Sequence, residues 1–272
     1  MIGELLALLS AFCWALNGTI YKLALRGENV VRANFVRVLA TALGFMLIML
    51  VKGELVRILT STPLKIWMLL VASAICAFFV GDILYMESIK RCGVSRAIPL
   101  SSTYPLFVAL WGVILHHRIE IWGVVGALLV ITSIYLIVGE GGGDIAGYPF
   151  AIGGAIFWSI SITIVKTLTA YLPPEAIAGF RFLVVSAILL PVAGRVGGRC
   201  AKLMILSALV MIVGNYAFVL SLALTTATKA STLSALYPVI AQFMAMKVKE
   251  KVTLRVFVGA VLAFLGVAVT LL

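Results

Sequence analysis

Ten runs of apolar residues take up almost the whole chain, and each is long enough to cross a membrane as a helix. The runs cover residues 4–25, 30–51, 65–89, 96–116, 120–138, 148–170, 174–194, 202–223, 229–247 and 252–271. A membrane-spanning helix needs about 20 mostly apolar residues. The runs are too long for membrane β-strands and lack their strict alternation. The sequence therefore predicts an all-α membrane protein with ten transmembrane helices. The gaps between runs are short, so neighbouring helices should be antiparallel.

The composition argues against a water-soluble domain. Hydrophobic residues make up 63% and charged residues only 11% of the 272 residues, whereas soluble domains carry about 25% charged residues. The formal net charge is +11. The basic residues, however, are scattered through the short gaps between apolar runs, which is typical of membrane flanks. We therefore expect the lipid bilayer as a partner, and no nucleic acid.

The first helix occurs twice in the sequence. Residues Trp14 to Lys22 read WALNGTIYK, and 144 positions later Trp158 to Lys166 read WSISITIVK. Of the sixteen positions from Ala7 to Lys22, six are identical under this shift. A duplicated membrane helix that keeps its polar residues predicts a two-fold structure with a polar site between the halves.

The duplication continues along the chain. Arg37 corresponds to Arg181 at the same shift, and further on the shift falls to 133, where Gly81 corresponds to Gly214. Within residues 97–105, five of nine positions are identical to their counterparts.

Each half therefore holds five predicted helices, residues 1–140 and residues 147–272, in one integrated transmembrane domain. Because five is an odd number, the second half must enter the membrane from the opposite side. The sequence thus predicts two inverted five-helix repeats, an arrangement that can open to either side of the membrane.

This pattern resembles a known family. Ten helices in two halves, a W-x-x-N/S-x-x-x-x-K first helix, an arginine early in the second helix and a Tyr-Pro in the fourth are similar to EamA-type members of the drug/metabolite transporter superfamily. The family pattern places a glutamate just after the fourth helix of each half, and Glu250 fits in the second half. The first half has His117 there instead, with Glu120 slightly later. The resemblance implies solute transport through a central cavity between the halves.

Polar and aromatic residues share one stripe of the first helix. Trp14 and Asn17 lie on the same face, and Trp158 with Ser161 form the matching stripe of the second half. An unpaired amide in lipid costs a few kcal/mol, so Asn17 should face a cavity or another helix. We interpret the four as cavity-lining residues; interhelical packing is the alternative.

Asp82 is the carboxylate that lies deepest within a predicted span, with Tyr85 one turn later and Asn215 as its counterpart in the second half. A buried carboxylate needs a partner or water, or it becomes neutral. Contact with a substrate amine or coupling to protons is one interpretation, and a structural ion pair with Arg37 is the other. We assign Asp82, Tyr85 and Asn215 to the candidate cavity.

Arg37 and Arg181 each lie about 10 Å inside their helices, given a rise of about 1.5 Å per residue. Structural or gating contacts are favoured over direct substrate binding for both arginines. Lys22 and Lys166 lie closer to helix ends and are expected to extend towards the interface.

A Tyr-Pro pair interrupts the fourth helix of each half. Tyr104 and Tyr237 precede the prolines, and Ser101 and Ser234 lie one turn earlier on the same face. Because proline frees a backbone carbonyl, we interpret these four residues as part of a flexible, cavity-facing segment. A static kink is the alternative.

The sequence favours a secondary active transporter that moves a small organic metabolite, such as an amino acid or an amine, by alternating access. It has no GxSxG, HExxH or paired-aspartate motif, so we predict no enzyme activity, no catalytic residues, no metal and no cofactor.

A non-transporting membrane scaffold or receptor is the main alternative, and an intramembrane enzyme is a weaker one. We expect a multi-pass protein of the plasma membrane, and a homodimer contact through small residues of the fifth and tenth helices stays open.

Our hypothesis is that Asp82 governs the pH dependence of transport. Its counterpart Asn215 cannot titrate, so a proton-coupling role would belong to one half alone. In liposomes, Asp82→Asn should change the pH profile of solute uptake. An unchanged profile would remove Asp82 from proton coupling.

Overall fold

The fold is described by a computed structural model for residues 2–104, 106–107, 110–111, 121–139, 144–224, 233–234 and 236–270. The α-helices of this part of the chain are α1 (Ile2–Ala24), α2 (Val30–Val51), α3 (Leu55–Ser61), α4 (Leu64–Ala74), α5 (Asp82–Cys92), α6 (Val94–Ser101), α7 (Ile121–Gly139), α8 (Gly147–Leu168), α9 (Pro174–Leu189), α10 (Gly198–Leu224), α11 (Tyr237–Lys247) and α12 (Leu254–Thr270). A π-helical segment, Ile75–Gly81, joins α4 to α5 without a break.

The helices confirm the prediction of an all-α protein with several membrane spans. Six are long and apolar enough to cross a bilayer: Ile2–Ala24, Val30–Val51, Leu64–Cys92, Gly147–Leu168, Pro174–Val192 and Gly198–Ser221. Two shorter apolar helices, Leu128–Ile137 and Leu254–Gly266, fall within the fifth and tenth predicted runs. The fourth and ninth predicted runs lie partly outside the described residues.

The fourth helix of each half is interrupted where the sequence predicts it. Helix α6 ends at Ser101, residues 102–103 form a turn, and Tyr104 is helical again. In the second half a turn at Leu236 precedes α11, which carries its proline in the first turn. A proline is tolerated there because its missing N–H would have no partner inside the helix. Pro105 lies outside the described residues.

The two halves pack mainly against each other. Helix α1 packs on α10, and α5 packs on α8. Because α8 corresponds to α1 and α5 corresponds to α10, these two pairs map onto one another. Helix α2 packs on its own counterpart α9, and α7 does the same on α12. The helix contacts therefore follow the internal repeat of the sequence.

The counterparts α2 and α9 run antiparallel. Glu28, before the start of α2, accepts a hydrogen bond of 2.9 Å from the backbone N–H of Gly197, beyond the end of α9. At the other end, Lys52 follows α2 and forms an ion pair with Glu175 in the first turn of α9. The Glu175 carboxylate also raises the pKa of Lys52 above its ordinary value through this hydrogen bond.

The pair α7 and α12 also runs antiparallel, through small residues. The Ser133 hydroxyl, late in α7, donates a 2.8 Å hydrogen bond to the Gly259 carbonyl, early in α12. Late in α12, Gly266 faces Gly126 and Val130 of α7. These small residues, predicted to serve either the interior or a dimer contact, pack within the chain and let the backbones approach closely.

The helix ends define two faces of the protein. The first face contains residues 22–28, 90–94, 144–147, 194–198 and 247–253. Helices α2, α6, α8, α10 and α12 begin at this face. The second face contains residues 52–64 and 168–174, from the opposite ends of the same helices. The polar residues predicted for the site lie between these faces.

The close contact of α7 and α12 can be tested with Gly266→Ala. An added Cβ would lie 2.7 Å from a Val130 methyl group and 2.9 Å from the Gly126 carbonyl oxygen. Overpacking of this kind costs roughly 1–3 kcal/mol, so the midpoint of thermal unfolding in detergent should fall by several degrees. Gly198→Ala is the matched control, because no heavy atom lies within 4 Å of its added Cβ. Equal midpoints for both variants would contradict this packing.

Candidate functional site

Asp82 lies at the centre of the candidate site, at the start of α5 and near the middle of the span Leu64–Cys92. It is only 6% exposed. Its Oδ2 atom accepts a hydrogen bond of 2.5 Å from Arg37 Nη2 on α2, and its Oδ1 atom accepts one of 3.0 Å from Trp158 Nε1 on α8. The carboxylate therefore joins the two halves at mid-depth, with both oxygens bound.

Arg37 is fully buried and held by a second polar side chain of its own helix. Its Nε and Nη2 atoms donate to Asn34 Oδ1 at 3.1 and 2.7 Å. Asn34 Nδ2 in turn donates to the Phe78 carbonyl of the π-helical segment at 3.0 Å. The structural ion pair, one of the two interpretations of Asp82, is thus present, and its arginine is oriented by Asn34.

The burial of Arg37 and Asp82 is only tolerable because the two charges are paired. Taking a charge out of water costs several kcal/mol, and good geometry with further hydrogen bonds must offset that cost. π-Helical turns are rare and frequently lie at functional sites. Here the π-helical segment ends directly before Asp82 and presents the Phe78 carbonyl to Asn34.

Aromatic rings surround this ion pair. Tyr85 lies 4.9 Å from the Trp158 ring and 6.1 Å from the Tyr21 ring. The Tyr104 ring lies 6.5 Å from the Trp158 ring in an edge-to-face arrangement. The structure therefore brings together Asp82, Tyr85, Tyr104 and Trp158, all predicted as cavity residues.

The cluster around Trp14 corresponds to this one in the internal repeat, but it has Asn215 in place of Asp82. Trp14 lies 5.0 Å from Phe218 and 5.9 Å from Tyr237. Asn17 is 2% exposed, and its Oδ1 accepts a 2.6 Å hydrogen bond from Ser207 on α10. Asn215, the counterpart of Asp82, donates to the Met211 carbonyl of its own helix at 3.0 Å.

Arg181 on α9 is buried, with 7% of its surface exposed. Its Nη2 donates to the Ser161 hydroxyl at 2.6 Å and to the Ser73 carbonyl at 3.4 Å. Its guanidinium carbon lies 4.5 Å from the centre of the Phe78 ring. Unlike Arg37, it has no acidic oxygen within 4 Å in the described part of the chain.

The interrupted helices meet at the seam between the halves. Tyr104 lies beside Ser234, and Tyr237 lies beside Ser101. Ser101 and Ser234 are fully buried. The two contacts are related by the internal repeat.

Lys22 and Lys166 lie in the last turns of α1 and α8. Lys22 Nζ is 3.6 Å from a carboxylate oxygen of Glu250 at the first face. Glu250 also accepts hydrogen bonds of 3.0 Å from the backbone N–H groups of Val94 and Ser95. A carboxylate is stabilised at a helix N-terminus, so Glu250 joins α6 to the end of α11. Lys166 is exposed near the second face.

Sequence reasoning missed Asn34, Ser73 and Ser207. Asn34 could have been found, because a residue three positions before Arg37 lies on the same side of the helix. Ser73 and Ser207 carry no such signal, since their roles depend on which helices pack together. No group of three or more His, Cys, Asp or Glu side chains that could hold a metal occurs among the described residues.

The helices and their buried polar network define a multi-pass integral membrane protein. Residues 1–139 and 145–272 each match the EamA-like transporter family, so the chain belongs to that family, which comprises membrane transporters and not enzymes. The chain is 29% identical to an uncharacterized transporter from Archaeoglobus fulgidus over 279 residues, covering 100% of this chain and 99% of the relative. A protein of known crystal structure is 16% identical in sequence and has a TM-score of 0.73, with 98% of this chain and 96% of the other chain covered. The last comparison shows the fold alone.

The ion pair can be tested by a double-mutant cycle. Arg37→Met or Asp82→Leu alone leaves one buried charge unpaired and should cost roughly 3–5 kcal/mol of stability. The double variant leaves neither charge and should recover much of that loss. The measurement is the thermal unfolding midpoint of each purified variant. Additive losses in the double variant would show that the two charges do not stabilise each other.

Proposed function

We propose that the protein is a secondary active transporter that moves a small organic metabolite across the plasma membrane by alternating access. The observation that carries the proposal is the Arg37–Asp82–Trp158 network. It joins the two halves at mid-depth in a chain of a transporter family. A buried charged group inside a membrane protein is costly, and such groups commonly mark a substrate or ion pathway.

The two halves act as inverted five-helix repeats in this proposal, residues 1–140 and 147–272. The antiparallel pairing of α2 with α9 and of α7 with α12 supports it. Equivalent helices that run in opposite directions are expected when the second half enters the membrane from the other side.

Contacts at each face provide the two gates. At the first face, Glu250 binds the start of α6 and Glu28 binds Gly197. At the second face, Lys52 binds Glu175. The Glu28 and Lys52 contacts join opposite ends of the same helix pair, α2 and α9. Breaking the contacts of one face leaves those of the other in place, which is what alternating access requires.

The substrate site lies between the gates. It comprises the cavity residues Trp14, Asn17, Asp82, Tyr85, Ser101, Tyr104, Trp158, Ser161, Asn215, Ser234 and Tyr237. These side chains pack closely in the present conformation, and two surface cavities lie at the faces, one lined by Lys22 and Lys90 and the other by Arg57 and Tyr171. A solute therefore reaches the site only after one gate opens.

The sequence favours an amino acid or an amine as the substrate. Measuring the flux of candidate solutes across the membrane would identify it. A thermal-shift screen of the purified protein against metabolites at two pH values selects solutes, and uptake into proteoliposomes then measures transport. Uptake of a stabilising solute supports the proposal. A solute that binds without crossing the membrane would favour the receptor alternative.

The second-face gate predicts that a cross-link between Lys52→Cys and Glu175→Cys blocks transport. The variant is made in a chain whose four natural cysteines are replaced, and a reducible bis-thiol linker joins the new pair. Uptake into proteoliposomes should stop on cross-linking and return on reduction, because the linker holds α2 and α9 together.

The matched control is the pair Glu54→Cys and Arg57→Cys. Arg57 Nη2 lies 3.9 Å from Glu54 Oε1, and both residues belong to the same short segment at the start of α3. Cross-linking them should leave uptake unchanged. Full uptake with complete cross-linking between positions 52 and 175 would contradict the proposed gate.

A further inference from the structure

Four charged side chains are buried in the described part of the chain: Arg37, Asp82, Glu175 and Arg181. Three of them have a partner of opposite charge within 4 Å, since Arg37 binds Asp82 and Glu175 binds Lys52. Arg181 has none. The buried charges at mid-depth, Arg37, Asp82 and Arg181, therefore add up to one excess positive charge.

The polar contacts of Arg181 do not neutralise it. Its Nη2 donates to the Ser161 hydroxyl and the Ser73 carbonyl, and both acceptors are uncharged. Its Nε has no hydrogen-bond partner. A guanidinium presents five N–H donors in a planar fork that matches a carboxylate or a phosphate group. A buried donor without an acceptor is costly unless a ligand supplies one.

Nearby residues hold Arg181 ready for such a ligand. The Ser161 hydroxyl donates to the Ser73 carbonyl at 2.8 Å while it accepts from Arg181, so the serine is fixed between them. The Phe78 ring lies against the guanidinium face at 4.5 Å and stacks on Phe182 at 4.0 Å. A bound anion would thus meet an arginine whose orientation is already set.

Asp82 is less available to a ligand than Arg181. One of its oxygens is bound by Arg37 and the other by Trp158. A cationic substrate group would have to displace one of these donors, whereas an anionic group at Arg181 displaces no charged partner. The geometry thus favours an anion over an amine as the group that binds at mid-depth.

We infer that Arg181 is the binding site for an anionic group of the transported solute, a carboxylate or a phosphate. The inference rests on the proposed transport function and specifies its substrate class. Charge-assisted binding of a carboxylate or phosphate by a desolvated arginine is strong. Loss of the guanidinium should therefore weaken anion binding by roughly tenfold or more.

The probes are acetate and inorganic phosphate, which represent the two anion classes, with chloride at matched ionic strength as the reference. Acetate or phosphate should raise the thermal unfolding midpoint of the purified wild-type protein above the chloride value. Arg181→Gln should abolish the increase, and Lys166→Gln, which removes an exposed cation, should retain it. Whichever anion stabilises the protein identifies the class.

Stability without ligand gives a second readout. Arg181→Gln removes an unpaired buried charge and should unfold at or above the wild-type midpoint, whereas Arg37→Gln should unfold well below it. Arg181→Lys keeps the charge and should retain part of the anion response. No stabilisation by either anion, an equal response in Arg181→Gln, or a loss of stability in Arg181→Gln as large as in Arg37→Gln would overturn the inference.

Flux measurements separate this inference from the proposed function. If the wild-type protein transports a solute while neither anion binds at Arg181, the inference fails and transport stands. If anions bind at Arg181 but no solute crosses the membrane, the proposed function fails and the anion site stands.

Discussion

The structure depends on the cost of placing charge in a hydrocarbon environment. Arg37 and Asp82 are buried, so each needs the other, and Asn34 and Trp158 supply further hydrogen bonds to the pair. The resulting network contains residues of α2, α5 and α8, and therefore of both halves. One electrostatic requirement thus fixes how two helices of the first half meet one helix of the second.

Internal repetition explains the shape of the protein, and departures from it explain the site. Gly81 lies against Trp158 as Gly214 lies against Trp14, and Tyr104 meets Ser234 as Tyr237 meets Ser101. The exception is Asp82, whose counterpart Asn215 carries no charge. As a result Arg37 has a carboxylate partner and Arg181 does not. A scaffold with an internal repeat therefore holds an asymmetric distribution of charge.

Much of this arrangement could be predicted from the sequence. The apolar runs predicted the helices, because the length of a span is set by the bilayer and not by neighbouring helices. The repeat predicted that Trp14 and Trp158 occupy matching places, and the position of Asp82 inside a span required a partner, for which Arg37 was one candidate. Glu250 was expected from the family pattern just after the ninth helix.

Other features depend on contacts that no local pattern encodes. The π-helical segment before Asp82 has no sequence signature, and it determines that the Phe78 carbonyl faces Asn34. Ser73 and Ser207 became site residues only because α4 packs on α8 and α10 packs on α1. Whether Arg181 is paired could not be known before the neighbours of α9 were known. Long-range packing thus decided the parts of the site that the sequence left open.

Alternating access requires that the seam between the halves be reached from each side of the membrane in turn. The variant Ser101→Cys, in a chain without other cysteines, measures this access, because Ser101 is buried at the seam and its hydroxyl donates to the Ile98 carbonyl of its own helix at 3.0 Å. The measurement is labelling of this cysteine by a membrane-impermeant thiol reagent, added to one side of the membrane at a time. Alternating access predicts labelling from both sides, reduced by saturating substrate. Labelling from neither side, or from one side only under all conditions, would contradict the account.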